Sequence, residues 1–365
     1  MLPSSAPGIM PDTVSSLFPE VGFPVALAPM QDVTGLPFMN LVSSYGPPDL
    51  FFTEYFRVHS NARIDPKILS SITKNCSGKP VFAQLIGEST EHLARFANEL
   101  QEYPIAGVDL NLGCPAPRVY RKNVGGGLLR DPERIDNVLQ TLRETCQCPL
   151  TVKTRIGFED SASFDRILNV FLKNQVELVS LHARTVKGGY REVPQYDFVK
   201  RAVKTLGCPV LLNGDVHTPY SAITLCKKTG ATGVMIGRGA IRNPWIFRQI
   251  KELHLGKAMF RPTLGDVYNY INDLFDVFSN REINEQKQVA RLKKFLNFIG
   301  LGVDENGKFL HLMRRTKIRS ELDAVCRFFL LDNNNSIKPM SLKPYTGLVA
   351  RPGTEGSDCH TKSDA

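Results

Sequence analysis

Eight short apolar runs recur along the chain: 24–29 (PVALAP), 50–56, 80–85 (PVFAQL), 107–112, 149–154 (PLTVKT), 178–183 (LVSLHA), 209–213 (PVLLN) and 233–237 (GVMIG). Strict alternation is missing, as expected of strands covered on both faces. Between them lie segments with apolar residues three and four apart. In 88–100, Leu93, Phe96, Ala97 and Leu100 share one side; in 131–146, Ile135, Val138, Leu139 and Leu142 do. Segments 161–174 and 218–229 read the same way. Asp131-Pro132 and Thr218-Pro219 each set a capping side chain before a proline suited to the first helical turn.

Eight buried strands alternating with helices predict an α/β fold, a (β/α)8 TIM barrel. An open doubly wound sheet is the rival, but the glycine-rich turn its nucleotide fingerprint needs after the first strand is missing. Past residue 255 the strand pattern stops. Segments 263–278, 282–299, 307–318 and 320–331 read as helices, so a small C-terminal all-helical domain follows the barrel. The expected boundaries are a Pro/Ser-rich N-terminal arm over 1–20, a barrel over 21–255, a helical domain over 256–332 and a tail over 333–365. The tail lacks periodicity and is expected to be disordered.

Composition narrows this reading little. Hydrophobic residues make up 42% of the chain and charged residues 22%, as in ordinary globular proteins. No run approaches the roughly 18 apolar residues of a membrane span. Residues 1–20 lack the basic and apolar regions of a signal peptide, which points to the cytoplasm. The eight cysteines are scattered without metal-ligand spacing, which argues against structural zinc and for a reducing compartment. A net charge of +9 admits a polyanionic partner. That charge is concentrated: over 286–319 nine basic residues, Lys293, Lys294, Arg314, Arg315, Lys317 and Arg319 among them, face only Asp304 and Glu305. Such a surplus is either a solvated helix face or a contact surface for a phosphate backbone.

In a parallel barrel the site lies at the C-terminal strand ends. Polar residues recur there: Gln31 after Pro29 and Met30, then Glu54, Gln84, Asn111, Lys153 with Arg155, His182 with Arg184, Asn213-Gly214-Asp215 and Gly237-Arg238. Each has a dull explanation alone, as a solvated strand end, a satisfied core histidine or a turn. The last two loops, with glycine and Arg238, suit a phosphorylated ligand; sugar phosphate and flavin mononucleotide both fit. The stretch 107–117 sets Asp109 and Asn111 into an apolar strand, breaks at Gly113 and presents Cys114 between prolines. Basic residues and Gly125-Gly126-Gly127 follow, expected to form a mobile loop.

These residues, as an ordered set, resemble the tRNA-dihydrouridine synthases. The likeness runs from about Val25 to Arg327. It rests on Ala28-Pro29-Met30, Ala83-Gln84-Leu85, Asp109-Leu110-Asn111-Leu112-Gly113-Cys114-Pro115, Val152-Lys153-Thr154-Arg155, His182-Ala183-Arg184-Thr185, Asn213-Gly214-Asp215 and Gly237-Arg238-Gly239. The resemblance implies an FMN-binding barrel and a helical tRNA-binding domain. It also implies NADPH as reductant of FMN, and a flipped tRNA uridine reduced at its 5,6 bond. By position it implies Pro29, Met30 and Gln31 along the flavin ring. Gln84, Lys153 and His182 would meet its polar edge and ribityl chain. Asn213, Gly214, Asp215, Gly237 and Arg238 would hold its phosphate end. Asn111 would hold the uracil and Cys114 would protonate C5. Arg155, Arg184 and the basic residues of 286–319 would contact RNA. Gln31 and Ala116-Pro117-Arg118 depart from the usual pattern of such loops. A monomer without metal is expected. The rivals are an FMN barrel acting on a small molecule, of dihydroorotate or enoate type, and a non-catalytic RNA-binding barrel.

Overall fold

The computed structural model describes residues 14–18, 22–279 and 283–351. Its core is one sheet of nine parallel strands: β1 (Val25–Leu27), β2 (Leu50–Phe52), β3 (Phe56–Arg57), β4 (Val81–Ile86), β5 (Gly107–Leu112), β6 (Leu150–Arg155), β7 (Leu178–His182), β8 (Val210–Asn213) and β9 (Gly233–Ile236). β1 pairs with β9, and β2 pairs with both β1 and β4, so the sheet closes. The run predicted as one strand over 50–56 is two pieces. β2 meets the start of β4 and β3 meets its end, with Thr53, Glu54 and Tyr55 between them. Counted as staves, the barrel has the expected eight.

The helices follow from capping and apolar stripes. α1 (Leu36–Tyr45) and α2 (Pro66–Thr73) come first, α2 capped by Asp65. α3 (Thr90–Leu100) is capped by Ser89 and buries Leu93, Phe96, Ala97 and Leu100. α4 (Pro117–Tyr120) is a single turn. α5 (Pro132–Thr145) starts at Asp131, whose carboxylate accepts the N–H of Arg134 at 3.1 Å. α6 (Phe164–Lys173), α7 (Asp197–Thr205) and α8 (Pro219–Thr229) complete the alternation. The sequence pattern did not announce α1, α2 or α7.

The chain divides into two compact units. One comprises Met1–Met39, Pro48–Gly214 and Thr224–Ile236 and holds all nine strands; the other comprises Asn40–Pro47, Asp215–Ile223 and Gly237–Ala365. The C-terminal stretch of the second unit starts at Gly237, where the helical domain was expected from 256. It contains α9 (Arg238–Arg242), α10 (Ile246–His254), α11 (Leu264–Phe278), α12 (Glu285–Ile299), α13 (Lys308–Arg315) and α14 (Arg319–Leu330). Thr263 and Asp266 form a reciprocal cap at the head of α11.

Two expectations need correction. Val14, assigned to a loose arm, is 1% exposed and packs with Leu50, Phe82, Leu178 and Leu211 at the N-terminal end of the barrel. Residues 1–13 lie outside the described residues. The tail is ordered through Arg351, while 352–365 lie outside the described residues. Pro339 bridges Thr263, the N–H of Tyr345 donates to Leu301 at 2.8 Å, and Ala350 is buried. Backbone hydrogen bonds hold it, and they leave no period in the sequence. No helix among the described residues is long and apolar enough to cross a membrane.

Candidate active site

Strand register decides which side chains meet. Neighbouring strands place Gln84 beside Asp109, Asp109 beside Thr151, Asn111 beside Lys153, Lys153 beside Ser180, and His182 beside Asn213. Residues side by side in register share a face, and alternate residues along a strand return to it. Leu178 and Leu211 lie below on this face, in the apolar cluster with Val14. The lower barrel is thus apolar, and its C-terminal mouth is lined by amides, an ammonium and an imidazole.

One network carries the thiol. The N–H groups of Gly113 and Cys114 donate to Asn111 Oδ1 at 3.1 and 3.0 Å. Asn111 Nδ2 donates to Gln84 Oε1 at 2.8 Å, and Gln84 Nε2 donates to Asp109 Oδ2 at 2.7 Å. Thr151 Oγ1 donates to the other Asp109 oxygen at 2.7 Å. Asp109 is fully buried; desolvation pushes its carboxyl up to about 6, against the pull of Gln84, Thr151 and the Lys153 charge.

Cys114 is half-buried, and burial pushes its thiol up, against the Ala116 N–H and the charges of Arg155, Lys153 and Arg118. Tyr55 packs with Ile86 and Val119, and Cys114, Ala116 and Val124 lie against this cluster. Its hydroxyl donates to Gln31 and accepts from Arg57 at 3.4 Å. Gly125-Gly126-Gly127, expected to be mobile, form a buried 3-10 turn. Gly125 has φ +56°, and a Cβ there would stand 2.9 Å from Ile86 and 3.1 Å from Cys114 Cβ. These glycines serve close packing around Cys114.

Lys153 Nζ donates to Asn213 Oδ1 at 3.3 Å, and Asn213 Nδ2 to the Met235 carbonyl at 2.7 Å. Burial, then the Arg155 charge, lowers Lys153 to about 8; Asp109 and Cys114 oppose this. Arg184 Nη1 faces His182 Nε2 at 3.3 Å. Since guanidinium only donates, a hydrogen bond here needs His182 Nε2 as its acceptor. Gly214 has φ +115°, where a Cβ would stand 3.1 Å from His182. Met30 is half-buried, its N–H bonded to Thr34 Oγ1 at 2.7 Å, while Gln31 is exposed. In the second unit Arg238 pairs with Asp215 at 3.0 Å, and Asp215 has φ 46°.

Several expected RNA or substrate contacts have other work. Arg184 is fully buried and also donates to the Glu192 carbonyl. Both acceptor positions of Asn111 are used, so only one N–H remains for a ligand. Lys293 donates to the carbonyls of Arg314 and Thr316. Arg314 binds Asn297 and the Val349 carbonyl at 2.8 and 2.7 Å. Lys294, Arg315, Lys317 and Arg319 are exposed, with Arg319 stacked 3.9 Å over Phe275. Sequence reasoning noticed Asp109 without giving it a role, and missed Thr151, Tyr55 and Tyr190, which lies under Arg155 at 5.7 Å. Asp109 and Thr151 carried a usable signal, since both are polar at positions whose strand parity faces inward.

The geometry defines a parallel-barrel enzyme with a thiol at the strand-end mouth, beside buried amide and ammonium donors. A family model described as dihydrouridine synthase matches residues 26–296. The tRNA-dihydrouridine(16) synthase of Neisseria meningitidis serogroup A is 30% identical over 314 residues, 84% of this chain and 94% of that protein. The probable tRNA-dihydrouridine synthase 2 of Bacillus subtilis is 30% identical over 278 residues, 73% of this chain and 83% of that one. A solved old yellow enzyme homologue from Zymomonas mobilis covers 65% of this chain and 89% of its own at TM-score 0.45 and 12% identity. The chain belongs to the dihydrouridine synthase family.

Proposed function

We propose that the protein reduces a uridine in tRNA to 5,6-dihydrouridine with a bound flavin, FMN, and NADPH as reductant. Family membership supports the reaction; the observation that carries the site is the half-buried Cys114, held by Asn111 at the barrel mouth. The donor set fits a flavin. Lys153, Gln84, Asn213 and His182 share one face of the sheet, and Lys153 spends one of its three N–H donors on Asn213. Lys153 would hold the polar edge of the ring. Reduced flavin, when bound, supplies a hydride to C6 of the uracil.

Cys114 supplies the proton. Its thiol is pushed up by burial, so it is protonated at neutral pH and delivers H+ to C5. The remaining Nδ2–H of Asn111 can only donate, and so meets a uracil carbonyl. The base must leave its stack, at a cost of a few kcal/mol. Exposed Lys294, Arg315, Lys317 and Arg319 supply backbone attraction that offsets it. The protein works where tRNA and NADPH are, in the cytoplasm.

The test is reduction of unmodified tRNA by NADPH, with Cys114→Ala beside the native protein. Native protein should form dihydrouridine; the variant should stay yellow, be bleached by NADPH and form none. Dihydrouridine formed at the native rate by Cys114→Ala would remove the thiol from its role.

A further inference from the structure

We propose that Asp109 is a positioning residue for Cys114: its carboxylate is the terminal acceptor of a one-way chain of hydrogen bonds that holds the thiol loop. The inference rests on the reading of Cys114 as the acid. Every link points the same way. The Cys114 N–H donates to Asn111, Asn111 to Gln84, and Gln84 to Asp109. Two backbone donors take both acceptor positions of Asn111 Oδ1, so its amide has one possible orientation. That orientation forces Gln84 to turn its NH2 away, toward Asp109. The chain must end on a group that accepts. A carboxylate receiving Gln84 on one oxygen and Thr151 on the other does so without offering a competing donor. Ionised acceptors make the stronger bonds, and chained bonds polarise one another. A carboxylate in a fully buried barrel wall is costly unless its oxygens accept hydrogen bonds, and both of Asp109's do. The Lys153 charge also acts on Asp109 and favours its ionised form.

The arrangement makes an unusual demand on substitutions. Asparagine at 109 has one accepting oxygen and one NH2. Its NH2 can turn toward Thr151, whose hydroxyl reverses and accepts, and the chain to Cys114 survives. With valine at 151 that escape closes: the NH2 either opposes Gln84 Nε2, donor against donor, or stays buried against valine with no acceptor. The effect of Thr151→Val should therefore depend on residue 109.

The experiment measures alkylation of Cys114 by iodoacetamide, read by peptide mass spectrometry, alongside tRNA uridine reduction and flavin reduction by NADPH. Thr151→Val and Asp109→Asn alone should stay within about fivefold of the native alkylation rate, roughly one hydrogen bond each. The double variant should alkylate faster than the product of the singles and lose about tenfold or more in uridine reduction, with flavin reduction spared. Adding Gln84→Glu moves the acceptor one link along, so the triple variant should regain slow alkylation. Effects that merely multiply, or a triple variant alkylating as fast as the double, would overturn the proposal. If the double variant does not fold, the single variants decide: an Asp109→Asn loss beyond tenfold with Thr151 intact overturns it too. Native protein that fails to reduce tRNA uridines sinks the functional reading and leaves the alkylation comparison standing.

Discussion

Arg155 Nε lies 3.0 Å from the carbonyl oxygen of Gly113, one residue before the thiol. The same guanidinium donates to the Thr185 carbonyl at 2.8 Å, so the end of β6 ties the Cys114 loop to the loop after β7. Asn111 holds the loop through its N–H groups and Arg155 through a carbonyl. Arg155→Lys cannot span both carbonyls. It should slow uridine reduction by about 100-fold, the scale of a 1 Å misplacement, while NADPH still bleaches the flavin. Equal loss in both half-reactions would show that Arg155 serves the cofactor instead.

The buried glycines give a second prediction. A Cβ on Gly126 would stand 2.8 Å from the Cys114 carbonyl and 2.7 Å from Val186. Gly126→Ala should lower stability by about 1–3 kcal/mol and displace Cys114, read by denaturant unfolding and by thiol alkylation. A variant as stable as the native chain would mean that the turn yields at no cost.

Asp109 links function to stability. Its folded carboxyl is raised to about 6, so the folded protein binds a proton that the unfolded chain has lost between about 4 and 6. Stability from this group is therefore complete below the unfolded pKa and falls as pH rises through 6, by about 3 kcal/mol. Asp109→Asn lacks the penalty. Its unfolding free energy relative to native should climb between pH 4 and pH 8. A flat difference across that range would contradict the burial cost.

Lys153 acts in the alkaline range. Desolvation lowers it to about 8, so its charge is lost as pH rises through that value. Flavin reduction should fall above pH 8 in the native protein and lose that limb in Lys153→Met. A limb that survives the substitution belongs to another group.

The basic residues of the helical unit should divide into two classes. Lys293→Ala and Arg314→Ala leave backbone carbonyls without their donors and should lower the unfolding free energy by about 1–3 kcal/mol each, read by denaturant unfolding. Lys294, Arg315 and Lys317 are exposed. Neutralising them should weaken tRNA binding and flatten its salt dependence without changing stability. Unchanged tRNA affinity would make them an ordinary solvated face.

Much of this was legible in the chain. Buried parallel strands leave continuous apolar runs, and polar residues at their C-terminal ends marked the mouth. Other features leave no such trace. α7 is short and was passed over. The division of labour between Lys293 and Lys294 depends on which face of α12 meets carbonyls from distant segments. The three glycines around 126 looked flexible because composition cannot distinguish freedom from crowding. Asp109 was visible as a polar residue in an apolar strand, but its role appears only when Gln84 and Thr151 stand beside it.

Val14 stoppers the underside of the barrel with a plug of aliphatic and aromatic side chains. On the proposed reading, only the upper rim is then a doorway, and both the nicotinamide and the extruded pyrimidine must use it. They take turns, and initial-rate plots should show the parallel lines of a ping-pong reaction.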